Sequence, residues 1–430
     1  MIAPGWHPTV SHVRAAGAGL LLALVGALVR RPDAVVLAAP LLVVAAWGAW
    51  RRPTAEPEVR QTIDHTTLRE GDATTWRVQV VAGDGTDDVG VVLWEPAHSE
   101  LDPLWGEVSQ AVDAGRAEAA VAVRSTRWGR RVVGPARVVA SSPWAAFRWT
   151  APDSTGRLVT TVPLPAVFDA DAPASHAAGL VGLDRSAKQG EGSEFHGIRP
   201  FQSGDRLRRV HWPRSLRTGT LHVTSTWADH DRHVVLFVDA HHDLGESEGI
   251  DGRASSLDTT VRAAGALAEH HLRRGDRVSI EVAGARGGLR VPPATGLRHL
   301  RRVLDVLATI EPATDLRSSG RTTVGLSDGS LVLVLSPLVA PDALWRVVDL
   351  AARGFSVVVV DTLPDGIVDA DPDDPFRALA WRIRLLERDR ELRAVQAAGV
   401  PVVRWRGPGS LDQVLRDLAR RRSAPRMVRR

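Results

Sequence analysis

The chain opens on two uninterrupted apolar runs, Ala15–Val29 and Ala34–Trp50, neither of which holds a charge. Arg30-Arg31-Pro32-Asp33 parts them, and Arg51-Arg52-Pro53 closes the second. A helix of about 17 residues spans roughly 26 Å, the low edge of a bilayer core. The first run reaches back to Val10 if His12 and Arg14 snorkel, and Trp47 and Trp50 stand where an interfacial aromatic belt belongs. The pattern predicts a transmembrane helical hairpin over 1–52. A cleaved signal peptide is one competing reading, but no small-residue cleavage site follows the first run and a second apolar run does. Two buried helices of a soluble domain is the other, and it leaves both without a polar face. Arg14, Arg51, Arg52 and Arg60 flank the outer ends against Arg30 and Arg31 in the turn. The positive-inside bias therefore favours both ends, and all that follows, in the cytoplasm.

After a short linker the rhythm becomes two-residue alternation. Thr75–Val81, Val89–Leu93 and Ala119–Arg124 read as half-buried strands, and Arg131–Val139, interrupted by Gly134-Pro135, reads as an edge strand or a bulge. Turn clusters at Gly83–Asp88 and Pro152–Gly156 separate them. Several short strands at this spacing predict a β-sandwich over 58–165, with Trp76, Trp94, Trp128 and Trp144 as core or rim packing. An Ala- and Asp-rich linker covers 166–187, and a separate segment covers 188–227.

From 228 to 422 the rhythm changes again. Val234–Val238, Ser330–Leu335 and Phe355–Asp361 are continuous apolar runs, the mark of strands buried on both faces. Arg277–Ala283 and Pro401–Trp405 are strand-like. Helical patterns lie between and after them at Ser255–Arg273, Gly296–Thr309, Pro341–Arg353, Phe376–Ala398 and Ser410–Arg422. This alternation predicts an α/β doubly wound parallel sheet of Rossmann type, in a multidomain chain. The functional edge of such a sheet is the carboxyl end of its strands, which brings Asp239, Ser336 and Asp361 into one neighbourhood.

Composition narrows the chemistry. The absence of Cys removes disulfides, thiolate metal sites and thiol nucleophiles. Lys188 is the only Lys, so the positive charge is almost all Arg, and with 54 basic against 50 acidic residues the net charge is only +4. Interleaved charge of this kind does not point to nucleic acid. The basic tail, 423–430, reads as solvated, with anionic lipid headgroups as the sharper alternative. Gly284–Gly288 lacks a P-loop Lys and joins two strands, so it reads as a hairpin turn.

The segment Gly190–Gly219 is the most distinctive in the chain. It carries Glu194-Phe195, Gly197, Arg199, the Gly204-Asp205 turn, Arg208-Arg209-Val210-His211-Trp212, Ser215, Arg217 and Thr218-Gly219. It resembles the signature of the domain-of-unknown-function 58 family of bacterial proteins. Arg127-Trp128-Gly129-Arg130 and Ser142–Phe147 also resemble that family's strand-rich segment. The resemblance implies a membrane hairpin, a strand-rich region, the signature, and then a von Willebrand factor A-like domain. Physically, the guanidinium-rich segment reads first as a rigid collar locked onto the α/β domain by Arg–carboxylate forks and second as a partner-docking surface. An acid–base site on His196, His211 and Asp205 lacks a nucleophile at a telling spacing.

Von Willebrand A-like domains often hold Mg²⁺ through Asp-x-Ser-x-Ser after the first strand. Here that stretch reads Asp239-Ala240-His241-His242-Asp243, and Ser336-Pro337 stands where a later Asp is often seen. Mg²⁺ on Asp239 and Asp243 is conceivable, but the ligand set is degenerate and a metal-free site is expected. His233 cannot join it, since it sits roughly 20 Å away at the other end of one strand. The resemblance implies a non-enzymatic scaffold that docks a protein partner around Asp239, His241, Asp243 and Ser336. That partner is expected to be a MoxR-type AAA+ ATPase engaged in assembling or maturing other proteins. A metal-dependent ligand-binding or adhesion module, and a hydrolase using the signature histidines, stay open as alternatives.

Overall fold

The computed structural model describes residues 5–152, 154–164, 189–202, 205, 207–227, 233–285, 288–312, 330–367 and 375–406. The linker 166–187, the predicted helix Ser410–Arg422 and the basic tail lie outside the described residues. The chain divides into two compact units, one of residues 1–163 with Ser247–Arg253, the other of 164–246 with 254–430.

The first unit begins with a short strand β1 (His7–Pro8) and two helices, α1 (Val10–Leu28) and α2 (Pro32–Trp50). Both are long and apolar enough to cross a membrane. They touch through small residues: a Cβ at Gly19 would stand 3.0 Å from Leu42, and one at Gly26 3.0 Å from Ala34. Glycine lets the two helices approach this closely, where a side chain would have to push its neighbours aside. Outward-facing Leu20, Leu21, Leu24, Leu28, Val36, Leu37 and Val43 are exposed, an apolar surface that water does not favour.

Eleven strands follow: β2 (Glu58–Ile63), β3 (Thr67–Arg69), β4 (Ala73–Val81), β5 (Asp88–Val92), β6 (Ser99–Asp102), β7 (Glu107–Ala111), β8 (Arg116–Ser125), β9 (Gly129–Val133), β10 (Arg137–Ser141), β11 (Phe147–Thr150) and β12 (Arg157–Val162). They form sheets ordered β1-β11-β10-β5-β7, β2-β4-β8-β6 and β3-β12-β9. The alternation seen in the sequence is the burial pattern: Trp76, Val78 and Val80 of β4 share one core with Val89 and Val91 of β5, Val121 and Val123 of β8, and Trp149 of β11. Gly134-Pro135 does not lie inside a strand. It ends β9 and precedes β10, and these two strands belong to different sheets. Gly134 has φ +72, and a Cβ there would come within 2.5 Å of the Trp76 indole, so both backbone and space require glycine. The four tryptophans part company. Trp76 and Trp128 are buried, whereas Trp94 and Trp144 are 70% and 72% exposed, so the expected packing role fails for the latter two.

The second unit contains β13 (Gln189–Pro200), the short helix α3 (Trp212–Thr218) and β14 (His222–Trp227), with β13 and β14 paired antiparallel. It continues through β15 (His233–Asp239), α4 (Ser256–Arg273), β16 (Arg277–Ala283), β17 (Arg290–Ala294), α5 (Leu297–Leu307), β18 (Leu331–Ser336), α6 (Pro341–Ala352), β19 (Ser356–Asp361), α7 (Pro375–Ala397) and β20 (Val402–Arg404). The six-stranded sheet runs β17-β16-β15-β18-β19-β20. All neighbours are parallel except β16 and β17, so the expected parallel sheet carries one antiparallel edge, β17. Val235 and Phe237 join a core with Leu344 and Val347 of α6 and Val395 of α7. The alternate positions Val234, Leu236 and Val238 are buried as well. Apolar residues on both faces of β15 are what a continuous apolar run specifies.

Candidate functional site

Three central strands end together. β15 ends at Asp239, β18 at Ser336 and β19 at Asp361, and Ser336 stands opposite Asp361 in the ladder. The sheet thus gathers the three residues that the apolar runs mark. Asp239 Oδ1 lies 2.6 Å from His241 Nδ1 and accepts the His241 amide at 3.1 Å, while Oδ2 accepts Ser336 Oγ–H at 2.5 Å. Ser336 Oγ in turn accepts the Leu338 amide at 2.9 Å. Gly284, at φ +75, makes room for this: a Cβ there would fall 2.5 Å from His241 Cγ. Burial raises the Asp239 pKa, but the hydrogen bonds from His241 and Ser336 outweigh it and hold the carboxyl below its usual range.

Asp361 is anchored separately. Its Oδ1 accepts the Leu363 amide at 3.1 Å and pairs with the buried guanidinium of Arg388, whose Nε donates to Pro337 O at 2.9 Å. Beside it, the buried hydroxyls of Thr260 and Thr362 meet at 2.6 Å, tying α4 to the end of β19. Asp243 supports the start of a helix instead. Its Oδ1 accepts the Leu257 amide at 3.2 Å, in the first turn of α4.

These placements decide what the site can do. Mg²⁺ asks for six oxygens in near-octahedral array. Both Asp239 oxygens are engaged by neighbouring side chains, Asp243 serves the helix start, and among the described residues no group of three or more His, Asp or Glu could hold a metal ion. The hydrogen-bond order Ser336–Asp239–His241 puts the carboxylate in the middle, whereas activation of a serine nucleophile needs the imidazole there. Ser336 is also fully buried.

In the signature, Gly204 and the side chains of Glu194, Phe195, His196 and Arg208 lie outside the described residues. Arg199 grips Asp205 as a fork, at 2.7 and 2.6 Å, and Asp205 Oδ2 also accepts the Gln202 amide at 2.9 Å. The Arg199 hydrogen bond and that amide hold the Asp205 pKa down. This fork closes within the segment itself, not onto the α/β core. His211 Nδ1 accepts the Arg214 amide at 3.2 Å and caps α3. Buried Ser215 donates to His211 O at 2.9 Å and accepts the His222 amide at 2.9 Å, clipping α3 to β14. Gly219, at φ +73, ends α3 in the left-handed conformation. Arg209 is half-buried, while Trp212 and Arg217 are exposed. His211 and Asp205 are therefore committed to a cap and a fork.

One surface is not among the residues that the sequence patterns mark. On α7, Arg388 reaches Pro337 O, and Arg384 Nε donates to Val339 O at 2.7 Å while its guanidinium pairs with Glu391 at 2.9 Å. Trp381 is buried and its Nε1 donates to Ile367 O at 3.0 Å. The other side of the helix carries Leu379, Ile383 and Leu386, each more than half exposed. Their i, i+4, i+7 spacing is the signal of an apolar stripe, but it is interspersed with arginines.

The family described as "Protein of unknown function DUF58" matches residues 197–365, from the signature's Gly197 through the strand ends at Asp239, Ser336 and Asp361. An uncharacterized protein of Mycobacterium tuberculosis is 30% identical over 239 residues, which cover 53% of this chain and 67% of that protein. The chain belongs to the DUF58 family. A Mycobacterium bovis protein, also called uncharacterized, matches to the same extent. Among solved structures, native alpha-2-macroglobulin from Escherichia coli is similar at 16% identity and a TM-score of 0.20, over 25% of this chain and 24% of that one. So slight a likeness carries no argument about the fold. The stripe on α7 lies beyond the residues matched by the family.

Proposed function

We propose that this DUF58 protein is a membrane-anchored, non-enzymatic scaffold that docks a protein partner at the carboxyl end of its six-stranded sheet. The observation that carries this reading is the exposed stripe Leu379, Ile383 and Leu386 on α7. The opposite side of that helix is fixed to the sheet's end by Arg384 and Arg388. A rigidly held apolar stripe of this spacing suits an amphipathic helix of a partner. Asp239 and Ser336 are buried, so their part is to hold the loops in shape, with His241 and Asp243 half-buried at the rim. In this reading the second unit is a von Willebrand A-like domain without its metal, and the partner is a MoxR-type AAA+ ATPase acting in assembly or maturation of other proteins. The helices α1 and α2 span the bilayer with both ends cytoplasmic, confining the encounter to two dimensions and raising effective concentration. A photo-crosslinking residue introduced at Leu386 in living cells tests the proposal. An adduct with an ATPase is the expected product, and crosslinks to lipid alone or to no protein would sink it.

A further inference from the structure

We propose that the 3₁₀ turn Pro143–Ala145 is a lipid-contact device that seats the Trp144 indole in the headgroup layer, so that the strand-rich unit rests on the membrane surface. The inference rests on the reading that α1 and α2 span the bilayer. Several contacts fix the turn against the hairpin's base. Ala146 O accepts the Thr9 amide at 2.9 Å, and Ala145 O accepts Thr9 Oγ–H at 2.7 Å. A Cβ at Gly48 would stand 2.6 Å from Ala146 Cβ. The rings of His12 and Phe147 lie 5.3 Å apart, and Arg52 lies 5.3 Å over the Phe147 ring. Gly48 is in the last turn of α2, roughly 3 Å along the axis from Trp50. The turn is therefore level with the helix end where a bilayer's hydrocarbon gives way to headgroups.

At that level the backbone does something unfavourable. Trp144 has φ +58 and ψ +21, and Ala145 has φ +48, two consecutive non-glycine residues in the left-handed region. The strained turn presents an indole that is 72% exposed. In water this arrangement gains nothing for folding. In the headgroup layer an indole's apolar ring and polar N–H are both accommodated. Trp47 and Trp50 meet edge to face at 5.3 Å, with Arg51 5.5 Å and 5.8 Å from their ring centres. Trp144 extends this aromatic and basic band from the hairpin onto the strand-rich unit. The exposed Trp94 provides an internal control. β10 leads into the turn from Ser141, which pairs with Asp88, whereas Trp94 follows Val92 at the other end of β5.

The natural absence of Cys makes the test direct. Full-length protein carrying a single spin label at Trp144→Cys, Trp94→Cys or Leu24→Cys is reconstituted into phosphatidylcholine–phosphatidylglycerol vesicles, and collision with oxygen and with a water-soluble nickel chelate is read by paramagnetic resonance. Pro143→Cys repeats the reading with the indole retained. The expected result is severalfold less nickel collision, and more oxygen collision, at 143 and 144 than at 94, with the label at 24 deeper still. Labels at 143 and 144 as accessible to nickel as the one at 94, beside a deep label at 24, would overturn the lipid contact and leave the hairpin reading standing. A label at 24 that is freely accessible to nickel would overturn both.

Discussion

At the scale of single residues, Asp239 is the pivot of the sheet's carboxyl end. Ser336→Ala removes the hydroxyl at 2.5 Å from Oδ2 and leaves a buried carboxylate short of a donor. The expected loss is about 1–3 kcal/mol of stability by chemical denaturation. The folded-state pKa of Asp239 is lowered, so its contribution is present above the unfolded carboxyl range and is lost as pH falls through the folded value. Arg388→Ala strips Asp361 of its buried partner, and the expected cost is about 3–5 kcal/mol. His270 gives a second pH signature. Burial, then the neighbouring charges of His271 and Arg274, lower its pKa from 6.5 to about 4. A depressed histidine stays neutral in the fold while the unfolded chain takes up a proton. Stability is therefore whole above pH 6.5 and falls as pH drops toward 4. Because the ring is half-buried, the loss is about 1–2 kcal/mol, and His270→Gln should flatten that slope.

At the scale of elements, much was legible. The parallel strands β15, β16, β18, β19 and β20 and the helices α4 to α7 fall within a few residues of their sequence patterns, because the central strands are apolar on both faces and some helices have clear ends, such as the Ser255–Asp258 capping box that starts α4. The positions of Asp239, Ser336 and Asp361 followed from where those apolar runs stop. What was not legible depends on partners distant in sequence. Arg388 pairs with Asp361 through tertiary packing, and nothing in local spacing announces it. The need for glycine at position 134, where the chain passes from one sheet to another, comes from Trp76, whose ring fills the space a side chain would need. Trp94 and Trp144 have no local feature that tells exposed from buried indoles. The α7 stripe was hidden because arginines on both sides blur its periodicity. If the stripe is a docking surface, Ile383→Glu with Leu386→Glu should leave thermal unfolding nearly unchanged, within about 0.5 kcal/mol, as surface substitutions do.

At the scale of the whole molecule, two apolar helices, a strand-rich unit and an α/β unit are held in one chain. In the proposed scaffold the helices are the anchor and the α/β unit is the docking platform. Alkaline carbonate washing of native membranes should leave the chain in the pellet, and its release into the wash would remove the anchor. The most direct test of the scaffold is a pull-down of the full-length protein from native membranes, with mass spectrometry, beside the Ile383→Glu, Leu386→Glu variant. The expected result is an AAA+ ATPase recovered with the native chain and lost with the variant. Recovery of that ATPase to the same extent with both chains, or of no protein partner with either, would contradict the scaffold.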